Sequence, residues 1–295
     1  KEPFFICGQI VDESGEHLSS STCSIQSTDD SGFTLNLDLS RLASYSLFPG
    51  KVFFMTSFFL NIMYVLLVLI TGSLSIWCAV GPFTSSDTFS FEQLCDFLEL
   101  AVKEVPDVII LMGPFIDSTS KIAHSSSLGR TYAELFEILL LNICDTLRVS
   151  KPRLIIVPSK RDATVLPLIP VAPFEISKEC KKNLYEEMTF TPDPALVKIA
   201  GIQFALSNSE ILQHLGRDEI YSSENSENED RIARLMGHLI RQRSLYPLYP
   251  PPPDCAESAS GIIRASRLSQ IPHIIILSSM LAPMVKVIDF SLLLF

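Results

Sequence analysis

The sequence predicts an α/β protein: a layered sandwich of parallel strands and covering helices, preceded by a small β domain. Three observations carry that expectation. First, short and wholly apolar runs recur, and each opens into a polar loop. Val108–Met112 leads into Gly113-Pro114-Phe115-Ile116-Asp117, Leu154–Val157 into Pro158-Ser159-Lys160-Arg161-Asp162, and Ile274–Leu277 into Ser278-Ser279. Another run closes at Val80 before Gly81-Pro82-Phe83-Thr84-Ser85-Ser86-Asp87. Runs this short, without polar alternation, suit strands buried on both faces, as in parallel sheets covered by helices. Second, amphipathic helical stretches stand between these runs. Third, residues 4–52 carry turn-rich β patterns and no helical period.

In chain order, Phe4–Ile10 is a strand candidate, and Leu35-Asn36-Leu37-Asp38-Leu39 alternates with period two, as a half-buried strand should. Leu47–Val52 reads as a turn entering another strand, and residues 1–52 read as part of a small barrel of the OB type. From Phe53 to Val80 there is no charged residue. Taken alone, 53–80 is a transmembrane helix candidate, since about 20 apolar residues span a bilayer. Arg41 and Lys51 before it and Asp87, Glu92 and Asp96 after it would then place residue 1 in the cytoplasm. The competing readings are a buried hydrophobic segment, or sequence foreign to the mature protein, such as a translated intron.

Residues 88–147 read as helix, strand, helix. Phe91, Leu94, Cys95, Leu98, Ala101 and Val102 share one helical face, and Pro106 stops that helix before the Asp107 strand. Thr131 and Glu134 form a capping box for a helix whose inward face is Leu135, Phe136, Leu139, Ile143 and Leu147. Thr164–Phe174 reads as an extended covering segment and Lys178–Met188 as a charged surface piece. Val197–Leu206 reads as a hairpin turning at Ala200-Gly201, followed by the polar loop Leu206–Glu210. Ser222–Asp230 is an acidic, low-complexity loop. Asp230 caps a helix over Arg231–Arg243, with Ile232, Leu235, Met236, Leu239 and Ile240 inward and Arg231, Arg234, Arg241 and Arg243 on a solvated face. Tyr246–Asp254, with four consecutive prolines, must be extended and is expected to be a strap packed on its own domain.

Composition narrows the function classes. A net charge of −10 argues against a general nucleic-acid-binding surface and leaves room only for a local basic patch. Seven scattered cysteines, without C-x-x-C, indicate neither a disulfide framework nor a zinc knuckle. Together with the absence of Asn-x-Ser/Thr, they fit a reducing, intracellular compartment. Residues 1–11 lack the apolar region of a signal peptide, and a first residue other than Met is what a fragment would show.

Strand-end loops are where α/β folds place ligand groups, and three of these loops carry an aspartate: Asp87, Asp117 and Asp162. This is the layout of a calcineurin-like metallophosphoesterase core. Two-metal phosphoesterases clamp phosphate and activate water with clustered Asp, His and Asn ligands. Here Gly81-Pro82-Phe83 stands in place of Asp-x-His, Gly113-Pro114 in place of the bridging Gly-Asp, and Lys160-Arg161 in place of Asn-His. A cationic pair there would repel metal ions. His17, His124, His214 and His238 stand apart from one another, and His273 precedes its strand. The expectation is no catalytic residue, no metal centre and no cofactor, with loop capping preferred to weak ion binding for Asp87, Asp117 and Asp162. No P-loop, G-x-G-x-x-G or G-x-S-x-G occurs.

Several stretches, in this order, resemble the B-subunit family of DNA polymerase alpha: Tyr45–Gly50, Gly81–Asp87, Pro106–Asp117, Val157–Asp162, Phe204–Gly216 and Gln242–Pro251. The resemblance implies an inactive phosphoesterase-like domain over 76–295 joined to an OB domain, of which 1–52 is part. It also implies a nuclear accessory subunit that tethers the catalytic subunit of DNA polymerase alpha through the C-terminal region of the latter, and primase through it, with DNA contact weak or indirect. The chain departs from the family at 53–75, where barrel strands and a linker are expected, and at its end, where further strands are expected. The alternatives are a single-pass membrane protein carrying such a domain and an active metal-dependent phosphoesterase.

Overall fold

A computed structural model describes residues 6–12, 17–28, 32–40, 42–55, 73–84, 90–121, 123, 129–223, 230–253, 255–256, 258–288 and 291–294. The chain begins with β1 (Ile6–Asp12), β2 (Cys23–Ser27), β3 (Thr34–Asn36), β4 (Ser44–Leu47) and β5 (Val52–Met55). Among the described residues, β3-β2-β1-β5 form an antiparallel sheet in that order, with Ile10 opposite Ile25. Ile10 and Ile25 are buried with Leu18, Cys23, Leu39 and Leu47. The predicted strand at 35–39 is shorter than expected: β3 is exposed along its length, because it is the sheet's edge, and burial begins only at Leu39. β4 leaves this sheet to pair elsewhere, as described below.

The body follows with β6 (Ile76–Val80), α1 (Glu92–Glu104), β7 (Val108–Met112), α2 (Tyr132–Thr146), β8 (Arg153–Val157), α3 (Lys178–Asn183) and β9 (Met188–Phe190). These strands form a parallel sheet, β6-β7-β8-β9. A second sheet uses β10 (Ala195–Ile199) and β11 (Ile202–Ser207). After α4 (Ile211–Asp218), β12 (Ile220–Ser223), α5 (Arg231–Arg241) and α6 (Ala259–Ser266), it is completed by β13 (Ile274–Leu277), β14 (Val285–Ile288) and β15 (Ser291–Leu294), in the order β10-β11-β13-β15-β14.

β7 explains the layering. All five of its residues are buried, and its alternating side chains serve two cores. Val108, Ile110 and Met112 face the second sheet, meeting Phe204, Leu206 and Ile276. Ile109 and Leu111 face α1 and α2, meeting Leu94, Leu98, Phe136, Leu140 and Ile143. The second sheet's outer face, through Ala205, Ile275 and Leu277, is covered by α4 and α5. The result is an α-β-β-α sandwich.

Local signals hold. Thr131 and Glu134 make the capping box, and Asp230 accepts a hydrogen bond from the Ala233 amide. Ala200 (φ 47°) and Gly201 (φ 87°) form the two-residue turn between β10 and β11, with both residues left-handed as a type I′ hairpin requires. The α5 helix stops at Arg241, and its expected solvated arginine face fails at Arg234, whose guanidinium lies in a buried ion pair with Glu219 at 2.9 Å.

The hydrophobic run is corrected at both ends. Phe53–Met55 belong to β5 and Ile76–Val80 to β6, so one helix over 53–80 is excluded. Apolarity without a helical period does not separate a membrane helix from the flanks of buried strands. Residues 56–72 lie outside the described residues. Among the described residues no helix is long and apolar enough to cross a membrane.

The N-terminal sheet and the body share one seam. β4 pairs antiparallel with β12, placing Leu47 opposite Ile220. Phe48 is fully buried in the body's helical core, beside Leu235, Met236 and Leu239. The proline strap presses on the same turn: the Tyr249 amide donates to the Pro49 carbonyl at 3.1 Å. Gly50 (φ +92°) would carry a Cβ only 2.5 Å from the Tyr249 nitrogen, so this close approach needs glycine. Replacing Phe48 with alanine is expected to cost about 3–5 kcal/mol. The loss should appear as a lower urea midpoint and faster proteolysis of the N-terminal sheet, and an unchanged midpoint would show that Phe48 does not anchor the seam.

Candidate functional site

The carboxyl ends of β7 and β8 face each other through their loops. Asp162 is 2% exposed. Its Oδ1 accepts the amides of Phe115 (2.5 Å) and Ile116 (3.2 Å), and its Oδ2 accepts that of Ser159 (2.8 Å). One side chain therefore caps the loop after β7 and its own loop after β8. Main-chain bonds complete the zipper, from the Ser118 amide to the Arg161 carbonyl (2.8 Å) and from the Ala163 amide to the Ile116 carbonyl (2.9 Å). A Cβ at Gly113 would collide with Asp162 Oδ2, so the glycine makes room for the carboxylate.

Asp117, also buried, turns the other way. Its Oδ1 accepts the Thr119 amide (2.9 Å) and hydroxyl (2.7 Å) in an Asx turn, and the carboxylate is paired with the Arg161 guanidinium. Asp87 lies outside the described residues. The structure thus brings Asp117 and Asp162 together as loop caps and shows each facing its own partners.

Two further polar residues complete the cluster. Asn208, in the loop after β11, donates from Nδ2 to the carbonyls of Gly113 (3.1 Å) and Pro158 (3.0 Å), tying three strand ends together. Its amide donates to Asp193 Oδ1 at 2.7 Å. Neither residue stands out in the sequence. Asn208 is one polar residue in a polar loop, Asp193 sits between Pro192 and Pro194, and their partners, main-chain groups together with the Ser207 hydroxyl, are brought near only by the fold.

The electrostatics follow from burial. Burial pushes Asp162 up to about 7, against the pull of the Ser159, Phe115 and Ile116 amides, with the neighbouring Asp117 charge adding to the rise. Burial likewise pushes Asp193 up to about 7, opposed by the Asn208 amide, the Ser207 hydroxyl and the positive charge of Lys160.

A binuclear metal centre does not fit these residues. Both Asp162 oxygens are engaged by main-chain donors, and a cation at Asp117 would have to displace Arg161. Among the described residues, no group of three or more His, Cys, Asp or Glu is placed to hold a metal ion. A cavity of about 540 Å³ lies away from these loops, between α3 and β9, lined by residues including Phe174, Leu184, Tyr185 and Phe190.

The body is a two-sheet sandwich whose strand-end carboxylates cap loops. Residues 76–286 match the family model for the B subunit of DNA polymerases alpha and epsilon, and the chain belongs to that family. Its relatives place it on the alpha branch. The B subunit of DNA polymerase alpha from Caenorhabditis elegans is 32% identical, covering 96% of this chain and 52% of that protein. Its counterparts are 31% identical in Mus musculus (97% and 50%) and 32% in Bos taurus (97% and 50%). The chain spans about half the length of the curated relatives it matches. A solved structure, TT1561 of Thermus thermophilus, aligns with a TM-score of 0.33 at 11% identity, covering 75% of this chain and 88% of that one.

The raised carboxyls set a pH dependence. Folded Asp162 and Asp193 hold protons that the unfolded chain, with carboxyls near 3.9, has released, so stability falls as pH rises from about 4 to 7. Asp162→Asn should make that slope shallower. It should also cost about 1–3 kcal/mol at pH 5, because its NH₂ would face an amide donor. Urea unfolding at pH 5, 6 and 7 measures both, and an unaltered slope would remove Asp162 as its source.

Proposed function

We propose that the chain is a non-catalytic accessory subunit of the DNA polymerase alpha–primase complex, working in the nucleus. It would hold the C-terminal region of the catalytic subunit, and primase through it. The observation that carries the reading is the state of the strand-end carboxylates. In a chain of this family, Asp162 is committed to three backbone amides and Asp117 to Arg161, which leaves the β7 and β8 loops as a fixed platform. On this reading, residues 76–295 are a calcineurin-like phosphoesterase sandwich without catalysis, and residues 1–52 are the part of an OB-type domain that packs against it. The antiparallel sheet β3-β2-β1-β5 supports the second assignment. A net charge of −10 supports weak or indirect DNA contact.

Co-expression with the C-terminal region of a polymerase alpha catalytic subunit is expected to give a stable complex on size exclusion. Asp117→Ala should leave that complex intact. The purified chain should show no manganese-dependent hydrolysis of p-nitrophenyl phosphate above the rate of the Asp117→Ala variant. Failure to bind would sink the scaffold reading, whereas manganese-dependent turnover lost in the variant would favour the phosphoesterase. Recovery of the chain from carbonate-washed membranes would favour the membrane reading over the nuclear one.

A further inference from the structure

The seam between the N-terminal sheet and the body holds a buried polar cluster. Glu219, which follows α4, is 2% exposed at its side chain. Its Oε1 accepts from Ser46 Oγ (2.6 Å) and Arg234 Nε (2.9 Å), and its Oε2 from Arg234 Nη2 (3.0 Å). His238 on α5 is fully buried, with Nε2 3.2 Å from Glu219 Oε1 and 2.7 Å from Ser46 Oγ. Ser46 lies in β4 and Glu219 immediately precedes β12, so the cluster ties the two strands whose pairing forms the seam.

Because Ser46 donates to Glu219, His238 Nε2 carries the hydrogen that meets Glu219. The other ring nitrogen, Nδ1, is buried and has no hydrogen-bond partner among the described residues. A second proton would have to sit on the buried Nδ1 of a ring packed edge-on with Phe48, the two ring centroids being 5.0 Å apart. The charges facing the imidazole are Glu219 after α4, already paired with Arg234 of α5; Lys51 from the turn before β5; and Arg241 from α5. Outside the cluster, exposed His17 stands 3.8 Å from Asp218.

We propose that this seam is an acid-sensitive latch, with the buried imidazole of His238 as its sensing group. In the closed seam the ring is neutral; in an opened seam it is hydrated and free to take a proton. Burial holds His238 below its ordinary value; the Glu219 hydrogen bond pulls it back up, and the Lys51 and Arg241 charges push it down. The open form therefore binds the extra proton more readily. The closed form is favoured fully above the ordinary imidazole range near 6.5 and loses that advantage as pH falls through it. This inference rests on the seam alone and does not depend on the polymerase reading.

Hydrogen exchange of the full chain at pH 7.5 and 5.5, corrected for intrinsic rates, tests it. Amides of Ser44–Leu47 and Ile220–Ser223 should lose protection by up to about tenfold, the limit for one imidazole of ordinary pKa near 6.5 that takes its proton only in the open form. Amides of β7 and β8 should not lose protection, since Asp162 and Asp193 act there in the opposite direction. His238→Gln keeps a donor for Glu219 and cannot gain the proton, so its seam should be insensitive to pH. Nitrogen NMR of the wild-type ring gives a second reading that no folding defect of the variant can confuse: His238 should stay neutral to below the ordinary imidazole range near 6.5. Equal responses in wild type and variant, an unresponsive wild-type seam, or a His238 ring titrating at or above the ordinary imidazole range would each overturn the proposal.

Discussion

Burying the Asp162 carboxylate is the constraint around which the strand-end loops are arranged. Taking a carboxylate out of water costs several kcal/mol even in a relaxed protein. A hydrogen bond to a charged group returns roughly 1.5–3 kcal/mol. Three amides therefore come close to offsetting the burial without exceeding it, which is why the group sits near 7 and not below its ordinary value. Geometry follows from that balance. The Phe115, Ile116 and Ser159 amides must converge on one point, so the β7 and β8 loops have little freedom, and Gly113 must lack a side chain to admit the oxygen. Asn208 extends the same frame to β11 through the Gly113 and Pro158 carbonyls.

At the seam the balance falls the other way. Burial alone would raise Glu219, but hydrogen bonds from His238, Arg234 and Ser46, together with the Arg234 charge, outweigh it and hold the group at about 2. Glu219 is thus a fixed anion and Asp162 a poised one, although the side chain of Glu219 is 2% exposed and Asp162 as a whole residue is also 2% exposed. The difference lies in the donors. A guanidinium brings a full charge, and backbone amides bring only partial ones. A buried ion pair of this kind adds little net stability against an apolar replacement, but breaking it leaves a charge stranded, so it acts mainly to fix one arrangement. Here that arrangement is β4 on β12, with Phe48 supplying the apolar contact beside it.

What the sequence made legible divides along the same line. β7, the capping box at Thr131 and Glu134, the Asp230 cap and the Ala200-Gly201 hairpin were readable because each is decided by residues within a few positions of one another. The loop-capping role preferred for Asp117 and Asp162 was also local in part, since Asp117 closes an Asx turn on Thr119. Asn208, Asp193, Glu219 and His238 were not readable, because their partners are main-chain atoms or side chains brought near only by the fold; Ser46 and His238 are 192 positions apart. A histidine standing alone in the sequence can be fully enclosed in a network. The arginine face of α5 misled for the same reason: helical period assigns Arg234 to the outer face, and β12 then covers it, with the guanidinium 3.4 Å from the centre of the Tyr221 ring. The 53–80 run misled because hydropathy averaged over a window cannot see that its two ends join separate sheets.

The strand-end loops of an open α/β sheet serve a ligand when their polar groups are left unpaired and aimed at a common space. In this chain the carboxylates of the β7 and β8 loops are paired within the surface instead, while Asn208 Oδ1 and Thr84 Oγ1 are buried without a partner among the described residues. Asp162 commits its lone pairs to three amides, Asp117 its charge to Arg161, and Asn208 its donors to two carbonyls. Each pairing removes a group from chemistry and adds rigidity to a loop. A surface stiffened in this way gains little as a catalyst, which needs groups free to exchange protons or bind ions. It gains as a docking face, because loops already held in place lose less conformational entropy when a partner covers them. The platform role proposed for this chain therefore draws its support from one set of hydrogen bonds.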